Sequence, residues 1–223
     1  MSDNIYRKHY YRHSAERERK QRETEEMMQR YELIAQAKKQ KQIPNLIYSK
    51  NVSSLPPSFT LDQKIYHRMS KEVISDIYDF TYANMHLLYE QSTWKWDEKK
   101  ELAEFRSNAS RFVLIRHKED NCIAGYLLFR LSIESFDFTS ILYIYSIMVR
   151  QQYQKTGLGT CLMLLAEDLA RYFQLQKCQL TVFKHNLPAF HLYTDHLQYV
   201  IDPYSPSKYG EQISFFVALS IDG

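Results

Sequence analysis

Ile141-Leu-Tyr-Ile-Tyr-Ser-Ile-Met-Val149 runs without charge or glycine, and Gln154-Lys-Thr-Gly157-Leu-Gly159 follows it, opening a helical pattern from Leu158 to about Gln174. Strand, glycine turn and helix start, in that order, present free backbone N–H groups to a phosphate. The helix dipole adds about half a positive charge at the same spot. A P-loop would need Gly-x4-Gly-Lys-Ser/Thr, a string the sequence does not contain. A dinucleotide fingerprint would need a third glycine where Leu162 stands. Gly157 and Gly159 lack Cβ atoms and so allow a phosphate close to the backbone. Taken alone, the hexapeptide reads equally well as a plain strand-to-helix turn.

The patterning on either side supplies context. Lys64–Met69 reads as a first strand. Ser70 then caps a helix with the face Val73, Ile77, Phe80, Asn84 and Leu87/Leu88, and a second helix runs from about Asp97 to Arg106. Strands Phe112–Arg116, Ile123–Ile133 and Ser140–Val149 are separated by hairpin-like breaks at Lys118-Glu-Asp-Asn121 and Glu134-Ser-Phe-Asp137. After the glycine turn and its helix come a strand Lys177–Phe183, a short helix Pro188–His196, and strands at Tyr199–Ile201 and Ile213–Ser220. The order predicts an α+β fold with one mixed sheet.

The 223 residues are 44% apolar, with 18 tyrosines and 12 phenylalanines, enough for one substantial core. Apolar runs stay well below the ~18 residues of a membrane span and no secretory signal opens the chain, so no membrane partner is expected. Cys122, Cys161 and Cys178 stand at wide, unpatterned spacing. That argues for buried, reduced thiols in an intracellular protein and against a disulfide framework or a zinc site. No metal is expected.

The net charge of +3 is uneven. Residues 1–42 carry 11 Lys/Arg and 7 Asp/Glu, that is +4, which leaves −1 for the remainder. From about Ser14 to Gln42 the chain reads as a charged helix whose apolar edge is Met27, Tyr31, Ile34 and the Lys38 stem. Residues 1–45 thus form a helical arm. Residues 46–58, between Pro44 and Leu55-Pro56-Pro57, form a proline-containing linker, and 59–223 form the globular domain. Docking on its own domain, a nucleic-acid contact and a ribosome contact are all open for the arm. No basic run with interleaved aromatics enters the domain, which disfavours nucleic-acid binding as the main function.

The spacing Gln154-x-x-Gly157-x-Gly159 and the element order together resemble the GCN5-related N-acetyltransferases (GNATs), which implies about seven strands flanked by helices and acetyl-CoA as cosubstrate. Asn186-Leu-Pro-Ala189-Phe-His-Leu-Tyr193 is similar to the signature Asn-x-x-Ala-x-x-x-Tyr of that family. Three further strings narrow the resemblance: Asn84-Met-His-Leu-Leu-Tyr89-Glu-Gln-Ser-Thr-Trp94-Lys-Trp96, Leu142-Tyr143-Ile-Tyr145, and Leu180-Thr-Val-Phe-Lys-His-Asn186. Over about Ser70–Ser207 they resemble the NatD-type N-terminal acetyltransferases, which acetylate the α-amine of histones four and two-A (chains that begin Ser-Gly-Arg-Gly). A lysine-rich N-terminal arm is also typical of that family.

The resemblance implies a set of site residues. Ile147, Met148 and Val149 would meet the acetyl and pantetheine groups by their backbone. Gln154, Lys155, Thr156, Gly157, Leu158, Gly159 and Thr160 would cradle the phosphates, with Thr181 and Asn186 beside the pantetheine. Tyr89, Trp94, Tyr143 and Tyr145 would wall the peptide slot, and Glu134, with Asp137 near it, would face the third-position arginine. Tyr193 would protonate the departing thiolate. Core packing is the competing reading for Tyr193 and for one of Trp94 and Trp96.

Two positions depart from the NatD pattern. The glutamate usually assigned as general base is replaced by Ser146, and the acidic residue two before Glu134 by Ser132. An unaided serine is not a base at neutral pH, so a water held by Ser146 and Tyr145, with Glu134 as remote acceptor, takes that place in the expected mechanism. The reaction expected is direct attack of the neutral amine on the thioester, with backbone N–H groups near Met148 holding the oxyanion. The competing readings are a GNAT acting on lysine or a small amine, and a catalytically impaired acetyl-CoA-binding protein. Histone tails in the cytoplasm and nucleus, and a monomeric state, complete the expectation.

Overall fold

The computed structural model describes the backbone of residues 2–205 and 214–221 and the side chains of 16–205 and 217–221. Ser207 and Ile213, which the sequence reading placed at the end of the resemblance and at the start of the last strand, lie outside the described residues. Among the described residues, seven strands form one mixed sheet: β1 (Phe59–Leu61), β2 (Arg111–His117), β3 (Ile123–Ile133), β4 (Ser140–Val149), β5 (Lys177–Phe183), β6 (Val200–Ile201) and β7 (Ser214–Ser220), in the order β1-β2-β3-β4-β5-β7-β6. The β4–β5 pair is parallel and every other pair antiparallel.

Helices cover both faces. On one side α5 (Leu158–Tyr172) buries Leu158, Leu162, Leu165, Ala166 and Leu169 at helical spacing against Leu127, Phe129, Leu142 and Leu180. On the other, α3 (Lys71–Glu90) and α4 (Glu98–Arg106) bring Ile74, Ile77, Phe80 and Phe105 onto Phe112, Leu114, Tyr126 and Leu128. Both start on side-chain caps: Ser70 accepts from the Val73 N–H at 3.4 Å and Asp97 from the Lys100 N–H at 3.0 Å. Of the pair Leu87/Leu88 expected on the buried face of α3, Leu88 is half-buried and Leu87 is 70% exposed.

The first strand is Phe59–Leu61 rather than Lys64–Met69. Phe59 and Leu61 are buried with Thr60 between them, the period-two pattern of an edge strand, and they pair with His117 and Ile115. Lys64 and Tyr66 form only isolated bridges, to Gln42 and Phe112, before the chain turns into the Ser70 cap.

Among the described side chains of the N-terminal helix α1 (Ser2–Ala37), those that dock on the domain lie near its C-terminal end. Ile34 and Ala37 are buried, Met27 is half-buried, and Arg30 donates to the Phe138 carbonyl at 3.1 Å. Tyr31 and Lys38, expected on that edge, are exposed; the seam follows 27, 30, 34 and 37 instead, alternating three and four residues. Within the expected linker lies a further helix, α2 (Asn45–Ser53), started by Pro44 and laid on α5. Ile43 and Ile47 enter the core. Asn51 donates to Asp168 at 2.9 Å and to the Ile47 carbonyl at 3.0 Å, and Lys50 donates to Asp168 at 2.8 Å. Pro188–His196 is one turn of α-helix, α6 (Leu187–His191), continued by a π-helical turn at Leu192–His196.

Candidate active site

Strand β4 carries a bulge. Leu128 pairs with Ser146 and Phe129 with Ile144, so Tyr145 is an extra residue in the ladder. Two successive side chains therefore share the α3–α4 face. Tyr145 packs against that cluster, and the Ser146 hydroxyl lies 3.0 Å from the Tyr126 hydroxyl, itself 2.8 Å from that of Thr81. At the same level β4 leaves its parallel neighbour: pairing with β5 runs from Ile141/Lys177 to Ile144/Leu180, while β4 continues to Val149 and β5 to Phe183. The strands splay into a wedge that begins at Tyr145. Opposite the end of β4, a Cβ on Gly125 would stand 2.8 Å from the Met148 carbonyl oxygen, so only glycine lets β3 pass there.

The glycine turn closes this wedge. Gln154 and Asn84 both donate to the Val149 carbonyl, at 3.2 and 2.9 Å, which ties the turn to β4 and to α3. Lys155 and Gly157 adopt left-handed φ of 62° and 92°, and α5 starts without a side-chain cap. The N–H groups of its first turn are thus left to a ligand. At Gly157 the left-handed backbone demands glycine. At Gly159 a Cβ would meet only Leu192 at an ordinary 3.6 Å, so the protein's own packing does not require glycine, and the approach it serves comes from outside. Thr156 turns inward to the Tyr153 carbonyl (2.7 Å) and Leu158 is a core side chain, leaving their backbone for a phosphate. Ile147 and Val149 pack toward α5, and Met148 packs toward α3–α4. Thr160 is half-buried on the first turn of α5. The Asn186 side chain caps nothing on α6, and the Thr181 hydroxyl sits 2.8 Å from that of Tyr143. These residues fit coenzyme A: a pyrophosphate cradle at one end and amide-pairing groups along the wedge.

Aromatic rings line the acceptor side. Tyr89 meets Phe183 edge-on at 5.0 Å and Trp96 at 5.2 Å, Trp94 lies 5.4 Å from Phe183, and His185 stacks on Phe183 at 5.2 Å. Trp96 is the structural tryptophan: it is half-buried, and its indole N–H donates to the Tyr78 hydroxyl at 3.1 Å. Trp94 is 46% exposed at the rim. Burial, then Glu101, pushes the Tyr89 phenol up to about 12; burial, Glu101 and Glu104 raise Tyr145, and burial raises Tyr143. All three stay protonated at neutral pH and act as donors. Tyr193 is buried within the π turn, its phenol raised to about 12 by burial.

Glu134 is not in this group. It follows the last residue of β3, opposite Ser140, about 20 Å along the strand from Ser146. Its carboxylate accepts from Lys177 at 2.7 Å, and Lys177 also reaches Asp202 at 2.9 Å, beside a cavity of about 310 Å³ lined by Asp137, Thr139, Lys177, Asp202 and Tyr204. Ser132, opposite Ile141, belongs to the same end. The expected relay from Ser146 to Glu134 therefore has no path: distance and the Lys177 ion pair both separate them.

The carboxylates that do face the bulge come from α4, and the sequence reading overlooked them. Glu104 pairs with Arg130, whose guanidinium lies 4.9 Å over the Tyr145 ring. Glu101, one turn earlier, is 8% exposed and forms no ion pair among the described residues. Burial first, then Glu104, raises its carboxyl to about 7.

Residues 74–198, more than half of the chain, match the Acetyltransferase (GNAT) family. Three solved structures share the fold. The ribosomal-protein-S18-alanine N-acetyltransferase of Escherichia coli is 16% identical over 74% of this chain and 95% of its own, with a TM-score of 0.51. Naa50 of Arabidopsis thaliana, solved with the bisubstrate analogue CoA-Ac-MVNAL, is 15% identical over 73% and 99%, at 0.51. The PaiA N-acetyltransferase of Thermoplasma acidophilum, solved with coenzyme A, is 13% identical over 73% and 98%, at 0.52. With the splayed strands, the bulge and the uncapped helix after the glycine turn, this chain belongs to the Acetyltransferase (GNAT) family and is an acetyl-CoA-dependent acyltransferase.

Proposed function

We propose that the chain is an N-α-acetyltransferase acting on the free amine of proteins that begin Ser-Gly-Arg-Gly, as histones four and two-A do. The observation that carries this reading is the ring-walled slot of Tyr89, Trp94, Phe183, Tyr143 and Tyr145 at the mouth of the β4–β5 wedge. Rings on several sides suit a chain end with small side chains, and protonated phenols offer hydrogen bonds to its first carbonyls. The N-acetyltransferase of ribosomal protein S18 and the CoA-Ac-MVNAL complex among the fold neighbours lend support to a peptide acceptor. The acidic groups around Lys177, Glu134 and Asp137, suit a basic residue further along the tail. Such substrates are met in the cytoplasm and the nucleus, and the basic arm is the surface for a ribosome contact by a monomeric enzyme.

Acetyl-CoA supplies the activated acyl group; the protein positions it and handles protons. An α-amine with pKa ~7.7–8.0 is already about a tenth neutral at pH 7, whereas a lysine at ~10.4 is neutral in less than one part in a thousand. Attack by an α-amine therefore needs less help from a base. N–H groups of β4 beyond Ile144 can hold the oxyanion, since among the described residues no strand pairs with that edge. A Tyr193 phenol near 12 is a poor proton donor to a thiolate whose conjugate thiol is near ~8.5. Tyr193 thus acts as a hydrogen-bond donor to the departing sulfur.

The test is a Ser-Gly-Arg-Gly peptide against its N-terminally blocked copy carrying free lysines. Acetylation of the free terminus alone is the expected result. Acetylation of the blocked copy alone would replace this reading with a lysine acetyltransferase.

A further inference from the structure

We propose that Glu101 is the proton acceptor for acyl transfer, doing from helix α4 what Ser146 cannot do from strand β4. The inference deepens the proposed function and rests on it for the identity of the amine, though not for the existence of the acceptor.

The geometry is a cluster. Residues 101, 104 and 105 occupy one face of α4. Phe105 lies 6.3 Å from the Tyr126 ring, Glu104 pairs with Arg130, and Arg130 covers the Tyr145 ring at 4.9 Å. Leu102 and Tyr145 pack on the same apolar cluster. Glu101 therefore looks toward the bulge from one turn away, and its charge is felt by Tyr89 on α3, Tyr126 on β3 and Tyr145 on β4. Among the described residues Glu104 has a cation and Glu101 has none in ion-pair contact, although Lys100 on its own helix opposes the rise of its pKa. An unpaired carboxylate in such surroundings is a costly thing to keep, and a carboxyl near 7 is matched to taking a proton from an α-amine at neutral pH.

The step balances without a further reagent. The amine nitrogen forms a bond to the thioester carbonyl carbon, and the proton it sheds passes to the Glu101 carboxylate. The C–S bond breaks, and the thiolate leaves hydrogen-bonded to Tyr193, later taking a proton from solvent. Glu101 returns its proton to solvent.

The experiment compares wild type with Glu101→Gln, an isosteric change, following kcat against pH from 5.5 to 9 with three acceptors: the Ser-Gly-Arg-Gly peptide, its blocked lysine copy, and water in basal acetyl-CoA hydrolysis. Acetyl-CoA binding by calorimetry reports whether the site survives. Which acceptor wild type uses tests the functional reading; the ratio of wild type to variant on that acceptor tests Glu101. The expected result is acetyl-CoA affinity within about twofold, kcat lower by ~100-fold or more, and loss of the rising limb near pH 7. Superimposable kcat–pH profiles for Glu101→Gln and wild type on every acceptor would overturn the proposal.

Discussion

At residue scale the chemistry is divided by burial. Glu101 carries its proton to about pH 7 in the folded chain against the ordinary 4.5. Between those values the folded state binds more protons than the unfolded one, so stability falls as pH rises from about 4.5 through 7. Glu101→Gln removes that loss: at pH 8 the variant should be more stable than wild type by about 3 kcal/mol, with the difference closing near pH 4.5. Thermal melts at pH 5 and 8 would check this, and the gain should accompany the loss of turnover. Tyr193→Phe should cost little by comparison, no more than about tenfold in kcat, because one hydrogen bond is removed and no proton transfer. A steady-state assay at saturating acetyl-CoA measures it.

At the scale of elements, the two glycines of the turn make different demands. Gly157→Ala must hold an L-residue at φ 92°, costing about 1–2 kcal/mol of stability as well as distorting the turn. Gly159→Ala meets only Leu192 at 3.6 Å, so its melting temperature should match wild type while acetyl-CoA affinity drops about tenfold or more. Melting and calorimetry on both variants would expose the contrast; equal affinity loss without any difference in stability would refute it. Most elements were legible in the sequence, because α5 and the β2–β4 meander carry their own periodicities, the cap residue Ser70 marks the start of α3, and Asp97 marks that of α4. Three features were not. Helix α2 is nine residues with a few apolar contacts, and Asn51 is buried only because Asp168, far along the chain, waits for it. Glu101 stands in the run Glu98-Lys-Lys-Glu101, which reads as a solvated face until Phe105 and Tyr126 turn it inward. The bulge leaves no trace in composition, since Tyr145 and Ser146 obey the local pattern and only their pairing partners disclose the extra residue.

At the scale of the whole molecule, the segment ahead of β1 is part of the core. Ile43 and Ile47 join the α5 cluster, and Asp168 holds both Lys50 and Asn51. Asp168→Ala should destabilise the chain by about 2 kcal/mol, mostly through the lost bond to buried Asn51 rather than through exposed Lys50. Urea denaturation measures it, with an unchanged slope expected. Helix α1, by contrast, is about 54 Å long, and among its described side chains, from residue 16 on, those that meet the domain lie near its C-terminal end, so the charges of residues 16–26 are displayed rather than packed.

The bulge of β4 can also be counted as arithmetic. A strand is a code of parity, odd residues to one face and even to the other, and one added residue normally inverts everything after it. Between Phe129 and Leu127 the β4 partners run Ile144, Tyr145, Ser146, Ile147, with Ile144 and Ile147 both on the α5 face. The insertion flips the parity of the strand and the local kink flips it back. Deleting Ser146 would leave Tyr145 opposite Leu128 and every other side chain where it is. Residue 146 is thus a letter the α5 face of the core does not use: striking it out would leave the apolar pairs on that face intact and cost the buried Tyr126 hydroxyl one partner at the wedge.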